Sequence, residues 1–444
     1  MKITNFEHTG LDRVAAWIKR NHLSGISATE LKKVLKTVNI FFVAEGINRV
    51  QSMLLCELKA SYVQQSQRYV ALDQDAFAFP DLPPEDYHRA LELGQQALDL
   101  YTRMCALKEG GFKGRPKPEH YLYAIPIEDA RYILPLAAKT NLSVSMSGDK
   151  LWEFFLLFND RKYEGIFETL KNELEAFLPA ELRALFPDDY DSTAELTIIE
   201  DFYRTDLARI NSEDDLILLS SCQDPDIKAG LGALTSTQSR ASSEVLLSWG
   251  EEAPVKAKEI VQRVLGYGHE SIAEQVRTTF GMMCSLVTYH QQVRHRLPEM
   301  FREDFSNLFS DTERPVIVPD SIRNSPFLEE FLNLTEAYRT FSREIYQKLG
   351  LGKAMPFILN CQLLKMIMST NARIDNQMLS ERTCLNAQWE IRKLAVKKLK
   401  ILRELSGVLY EKALPPCLVS KCHEGKMTCG KQQEVRDLFY FRQK

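Results

Sequence analysis

The sequence carries no excess of either charge: 56 lysines and arginines stand against 60 aspartates and glutamates, a formal net charge of −4. So balanced a chain has no global field for drawing in nucleic acid or an anionic membrane, and any anion it binds must be held by a local cluster. No apolar run approaches the roughly 18 residues of a membrane span, and the opening MKITNFEHTGLDRV lacks the apolar stretch of a signal peptide. The expectation is a cytoplasmic protein with neither a membrane nor a nucleic acid as partner. A disulfide framework is missing as well, because nine cysteines at irregular spacings, an odd number, suit a reducing compartment. What is present is material for one or two packed cores, with 45% hydrophobic residues over 444 positions.

Helical periodicity dominates. Tyr87 to Leu107 after Pro83-Pro84, and Tyr163 to Leu178 before Pro179, both repeat apolar residues at helix spacing. The polar stretch PDDYDSTAE, Pro187 to Glu195, has the composition of a connection and sets a boundary near residue 205. Beyond it, the apolar run around Leu216 reads as a short buried strand ending in the turn Asp224-Pro225-Asp226. Two segments match in pattern at a shift of 238 positions, FFVAEGINRVQSMLLCELKAS from Phe41 and TFGMMCSLVTYHQQVRHRLPE from Thr279. Each is an alternating apolar strand followed by a helix-like segment, as an internal repeat would give, although identity is slight and two amphipathic segments also match without common origin.

The sharpest chemical signal is Arg294-His295-Arg296, preceded by Gln291 and Gln292. Two guanidiniums and an imidazole within one turn form a compact cationic site whose donor forks suit phosphate oxygens, although beside Glu299, Glu303 and Asp304 the triplet also fits a solvated basic patch. Upstream stands Gly268-His269-Glu270-Ser271; downstream stand Asn371-Ala372-Arg373, Arg382 and Asn386-Ala387-Gln388-Trp389-Glu390-Ile391. Singly each is weak, since a His-Glu-Ser turn caps helices and AQWEI is a good helix start.

Taken together, these motifs resemble the flavin-dependent thymidylate synthases, the ThyX family, in order and approximate spacing. The second half departs at the family's serine motif: Pro298 to Asn307 reads PEMFREDFSN, with Asp304 at the serine's place. The missing motif is in the first half, where Ser61-Tyr62-Val63-Gln64-Gln65-Ser66-Gln67-Arg68-Tyr69-Val70 matches it and Cys56-Glu57-Leu58 replaces the basic triplet. Arg131-Tyr132-Ile133-Leu134-Pro135 likewise resembles a substrate-binding Arg-x-x-Leu-Pro, set against Gly352-Lys353-Ala354-Met355-Pro356 in the second half. Conversely, Asn371-Ala372-Arg373 faces Ser147-Gly148-Asp149, and Arg382 faces Phe158. The losses are complementary.

The resemblance implies an α/β (α+β) fold of two tandem ThyX-like repeats, 1–205 and 206–444, helix-rich around antiparallel sheets and forming a pseudo-dimer. An isologous family interface would make two equivalent sites, so a duplicated chain could keep one and lose the other. A homodimer would then mimic the family's tetramer. The implied reaction is methylation of dUMP to dTMP with methylenetetrahydrofolate as carbon donor, FAD as cofactor and NADPH as reductant. The resemblance places Arg294, His295, Arg296, Ser236, His269, Ser271, Asn371, Arg373, Gln377, Asn386 and Gln64 at the cofactor. Gln377 stands where an asparagine is usual, and Asn386 replaces a histidine. Gln64, Gln65, Ser66, Gln67, Arg68, Arg131, Gln291, Arg294 and Arg382 would bind the nucleotide. Arg382 and Ser66 would carry the chemistry, Arg382 by stabilising the pyrimidine anion formed when N3 loses its proton and Ser66 by polarising the base.

Other readings stay open. Ser66 could cap a local turn, Arg131 could snorkel at a core edge, and Arg382 could pair on a helix surface with Glu381. The activity could be hydroxymethylation or methylation of another pyrimidine nucleotide, or the scaffold could bind flavin and nucleotide without catalysis. Cys417, Cys422, His423 and Cys429 are ligand types for zinc, but their spacing lacks a CxxC knuckle and adjacent Cys422 and His423 sit awkwardly on one ion, so no metal is expected and the tail reads as a cap over a last helix from Ala387 to Glu411.

Overall fold

The computed structural model describes residues 1–21 and 26–440. Among the described residues, eight strands form two four-stranded sheets. The first holds β1 (Lys2–Thr9), β2 (Asn39–Asn48), β3 (Ser61–Gln64) and β4 (Lys139–Ser147) in the order β1-β2-β4-β3. The second holds β5 (Leu216–Ser221), β6 (Arg277–Ser285), β7 (Glu299–Arg302) and β8 (Leu363–Asn371) in the order β5-β6-β8-β7. One topology occurring twice is the repeat that the matched segments predicted. In β2, Ile40, Phe42 and Ala44 are buried alternately, as a period of two demands of a strand with one face on a core.

The chain divides into two compact units that interleave in sequence. One comprises Met1–Phe202, Ser285–Arg296 and Glu303–Leu364; the other comprises Tyr203–Cys284, Leu297–Arg302 and Lys365–Lys444. The first unit thus takes in the middle of the second repeat.

Within that unit the repeats meet across a symmetric seam. The N–H of Leu136 donates to the Ile358 carbonyl (2.8 Å) and that of Asn360 to Leu134 (3.0 Å). Ala137 donates to Pro356 (2.7 Å) and Cys361 to Tyr132 (2.9 Å), so that a shift of 224 positions exchanges each bond with its mate, and Pro135 pairs with Leu359 on the axis. This is isologous geometry inside one chain. The seam is dry, with Tyr132, Ile133, Leu134, Ile358 and Leu359 all fully buried.

The seam corrects one sequence alignment. Arg131 corresponds to Met355, not to Gly352, because the short 3-10 turns Arg131–Ile133 and Met355–Phe357 occupy the same place. Gly352 has a packing role instead: a Cβ there would lie 2.1 Å from the Glu164 carbonyl oxygen. Other expectations shift at their ends. The strand from Leu216 is half-buried, not buried. Asp224, in the left-handed region at φ +46°, leads straight into the helix Pro225–Thr237. The last long helix runs Trp389–Leu405 and stops short of Glu411. Among the described residues no helix is long and apolar enough to cross a membrane.

Candidate functional site

The helix Arg49–Glu57 begins with a reciprocal cap, Asn48 Oδ1 accepting from Gln51 N–H (3.0 Å) and Gln51 Oε1 from Asn48 N–H (2.9 Å). Its counterpart, Leu286–Gln292, starts where Ser285 Oγ accepts from Thr288 N–H (3.1 Å), and ends at the Arg294-His295-Arg296 triplet. Both helices lie in the first unit and touch there through Ser52 Oγ and His290 Nε2 at 3.5 Å. Gln64 Nε2 donates to the same Ser52 hydroxyl at 2.5 Å. Tyr289 Oη donates to Glu57 at 2.7 Å.

These contacts bring the basic triplet to the serine motif of the same chain. Arg296 reaches Ser61 Oγ (3.2 Å) and the Tyr62 carbonyl (3.4 Å) on β3, and β3 runs directly into Gln65 and Ser66. Arg294 and Arg296 are exposed, with His295 half-buried between them. Gln291 Nε2 donates back to Val287 O at 3.2 Å.

In the serine loop, Ser66 Oγ accepts from the Arg68 N–H (3.2 Å), the local turn that serine favours. Its own hydroxyl proton is directed by no bond in that turn. Gln65 is exposed, and a cavity of about 220 Å3 lies against Gln65, Ser66, Gln67 and Lys139. Gln67 is buried, yet neither its amide oxygen nor its nitrogen has a partner. Arg68 donates to Glu128 (2.6 Å), whose other oxygen accepts from Arg115 (2.7 Å). Burial alone would raise the Glu128 pKa, but Arg68 and Arg115 together hold it below its usual value.

Arg131 is buried, donates through Nε to the Glu128 carbonyl (3.1 Å) and leaves one Nη without a partner. A buried guanidinium with an open donor aimed at no acid costs stability unless something binds it. Sequence reasoning missed two further groups beside it, Arg49 and His290. Arg49 is 5% exposed with Nε unbonded, and His290 is 2% exposed with Nδ1 unbonded. Burial first, then the charges of Arg49, Arg294 and Arg131, push the His290 pKa well below 6.5. Its imidazole is therefore neutral at pH 7. Arg49 stands at the head of a helix in which every residue from Arg49 to Cys56 is buried, a burial that only the fold shows.

The flavin-side candidates lie in the second unit. Asn371 caps the helix Ala372–Arg382, its Oδ1 accepting from Ile374 N–H (2.9 Å), which leaves the amide N–H2 as the donor it can offer. Arg373 is exposed and pairs with Glu274 (2.5 Å) and Glu270 (3.6 Å). Ser236 donates to the Ala233 carbonyl (2.9 Å), and His269, Ser271 and Gln377 are exposed. Arg382, at the end of its helix, is 3.9 Å from Glu381. Asn386 donates to the Met427 carbonyl (2.8 Å), so the tail folds onto the loop before the last long helix. All nine cysteines are free thiols. Among the described residues, no group of three or more His, Cys, Asp or Glu is arranged to hold a metal ion.

Both repeats match one family description, "Thymidylate synthase complementing protein", over residues 9–179 and 217–406. A flavin-dependent thymidylate synthase of Geobacter sulfurreducens is 32% identical over 186 residues, spanning 40% of this chain and 79% of its own length. Enzymes of the same name from Clostridium tetani and Thermococcus kodakarensis are 29% and 34% identical, covering 41% and 37% of this chain and 81% and 72% of their own. A solved Helicobacter pylori ThyX, complexed with FAD and dUMP, aligns over 45% of this chain and 99% of its own at 18% identity, with a TM-score of 0.36.

Proposed function

We propose that this chain, which belongs to the thymidylate synthase complementing protein family, is a flavin-dependent thymidylate synthase with one working site per chain. The observation that carries the reading is the approach of Arg296 to Ser61 and Tyr62, which joins the only intact basic triplet to the only intact serine motif. The substrate is dUMP, the carbon donor methylenetetrahydrofolate, and NADPH the reductant. The donor set suits FAD: exposed guanidiniums at Arg294 and Arg296, and amide or hydroxyl donors at Asn371, Ser271 and Gln377. When bound, FAD supplies the hydride chemistry, and the protein supplies position and charge.

On the nucleotide, Arg131 and Arg68 hold phosphate oxygens by charge-assisted bonds, while Gln64, Gln65, Gln67 and Gln291 orient sugar and base. The Ser66 hydroxyl, its lone pair already accepting from Arg68 N–H, donates its proton to a base or sugar oxygen. Arg382 stabilises the anion left when uracil N3 loses its proton, which makes C5 the better nucleophile. A homodimer completes the assembly, and the enzyme works in the cytoplasm.

Purified protein should retain about one flavin per chain and release tritium from C5-labelled dUMP, because one of the two symmetry-related sites has lost its motifs. Retained flavin without tritium release would reduce it to a binding protein. Product analysis with dUMP, UMP and dCMP separates thymidylate synthesis from modification of another pyrimidine nucleotide.

A further inference from the structure

Arg49 belongs to none of the motifs read from the sequence, yet it lies beside the candidate phosphate clamp. Its backbone N–H donates to the carbonyls of Leu136 (2.9 Å) and Ala138 (3.0 Å), which stitches the head of its helix to the segment that follows Arg131. Arg131 is itself held in place, since Asn360 Nδ2 donates to its carbonyl (3.0 Å) and its Nε is bound to Glu128 O. Both guanidiniums are 5% exposed, both keep an unbonded N–H, and neither forms an ion pair among the described residues. The Glu128 carboxylate is engaged by Arg68 and Arg115. Asp129 accepts from Ser321 (2.6 Å).

A structural arginine in this unit looks different. Arg314, also buried, binds both oxygens of Glu303 and also Asp311. Arg49 and Arg131 instead repel each other: burial first, then the charges of Arg131 and Arg294, depress the Arg49 pKa to about 9. A guanidinium stays charged at neutral pH all the same, so this is a buried positive charge that a bound anion would stabilise.

We propose that Arg49 is a phosphate-binding residue, which with Arg131 grips the phosphate monoester dianion of the nucleotide. This rests on the proposed function and deepens it. Two guanidiniums call for two negative charges, and their planar forks match phosphate oxygens bidentately.

The test uses the full-length protein, as wild type, Arg49→Leu and Arg49→Lys, with dUMP, deoxyuridine and inorganic phosphate as probes. Arg49→Leu should weaken dUMP binding by about 10- to 100-fold, the factor that one charge-assisted bond supplies, and leave deoxyuridine binding unchanged. Inorganic phosphate should raise the melting temperature of the wild type beyond chloride at equal ionic strength, do so less for Arg49→Lys, and not at all for Arg49→Leu. Without ligand, Arg49→Leu should melt no lower than the wild type, because it loses a buried repulsion. Equal losses for dUMP and deoxyuridine, no loss for either, or an Arg49→Leu chain that cannot fold would each overturn the assignment. If dUMP fails to bind but phosphate stabilises the protein through Arg49, the anion site stands and thymidylate synthesis falls. If dUMP is methylated equally well by Arg49→Leu, the reverse holds.

Discussion

The same loop occurs twice in this chain, once open and once closed. In the first repeat, the segment after β3 carries Ser66 and Arg68 beside an Arg131 with one Nη unbonded and a Gln67 whose buried amide goes unbonded. In the second, the segment after β7 places Asp304 at the serine's position, and Lys162 fills the space against it as an ion pair. Glu303 next to it is engaged by Arg314, the Asp304 N–H donates to Glu200, and Met355 stands where Arg131 does in the first repeat. Charge that is fully paired within the protein has nothing left for a ligand. Charge left unpaired at a stability cost marks where one is expected, because the penalty persists only if binding recovers it.

Breaking the closed side should damage folding and spare chemistry. Arg314→Met takes the guanidinium away from buried Glu303 and should lower stability by about 3–5 kcal/mol, read by urea unfolding, while kcat/KM for the folded fraction stays put. On the open side the pattern inverts. Arg382→Ala should lower turnover by about a hundredfold or more, roughly 3 kcal/mol, in the tritium-release assay with bound flavin unchanged. Arg131→Met installs the second repeat's residue and should raise KM for dUMP by about 10- to 100-fold with no loss of melting temperature. If Arg131→Met instead unfolds the protein and Arg314→Met abolishes catalysis, the two loops have been assigned the wrong way round.

A subtler probe is pH. His290 is neutral in the fold, whereas unfolded it takes a proton near pH 6.5, so below that pH the unfolded state binds more protons and stability falls as pH falls. The slope from this one group is about 1.4 kcal/mol per pH unit. His290→Gln should flatten the stability profile below pH 6.5 relative to the wild type; an unchanged profile would mean that the imidazole is charged in the fold. The smallest effect is expected at the decayed triplet. The Cys56 thiol is buried and its pKa pushed up to about 12, chiefly by burial, so Cys56→Ala should change kcat/KM by less than about twofold.

Much of the arrangement was legible beforehand. Strand alternation in β2 and the polar caps at Asn48, Ser285 and Asn371 are local chemistry, so each strand-then-helix unit could be read from spacing, and the complementary motifs made the two units a repeat. Complementary loss of motifs named the residues worth watching, since Ser66 and Arg294 each lacked a partner within their own half. Arg49 and His290 escaped notice because neither belongs to a motif, and their importance comes from the groups around them. The Arg131–Met355 equivalence escaped for another reason: short 3-10 turns carry no periodicity, and only the seam sets their register. Asn386, expected at a cofactor, has its amide donor on Met427, a contact between segments 41 residues apart that no local pattern announces.

By itself, then, the order of residues determined the two repeats, their secondary structure and which polar side chains each retained, because these follow from short-range sterics, capping and periodicity. Tertiary structure alone decided that the triplet at Arg294–Arg296 lies against β3 of the same chain and that Arg49 and Arg131 are both buried with an N–H left unbonded. It decided too that Asp304 is silenced by Lys162. Desolvation and Coulomb energy depend on distances through space, and those exist only once the chain has closed on itself.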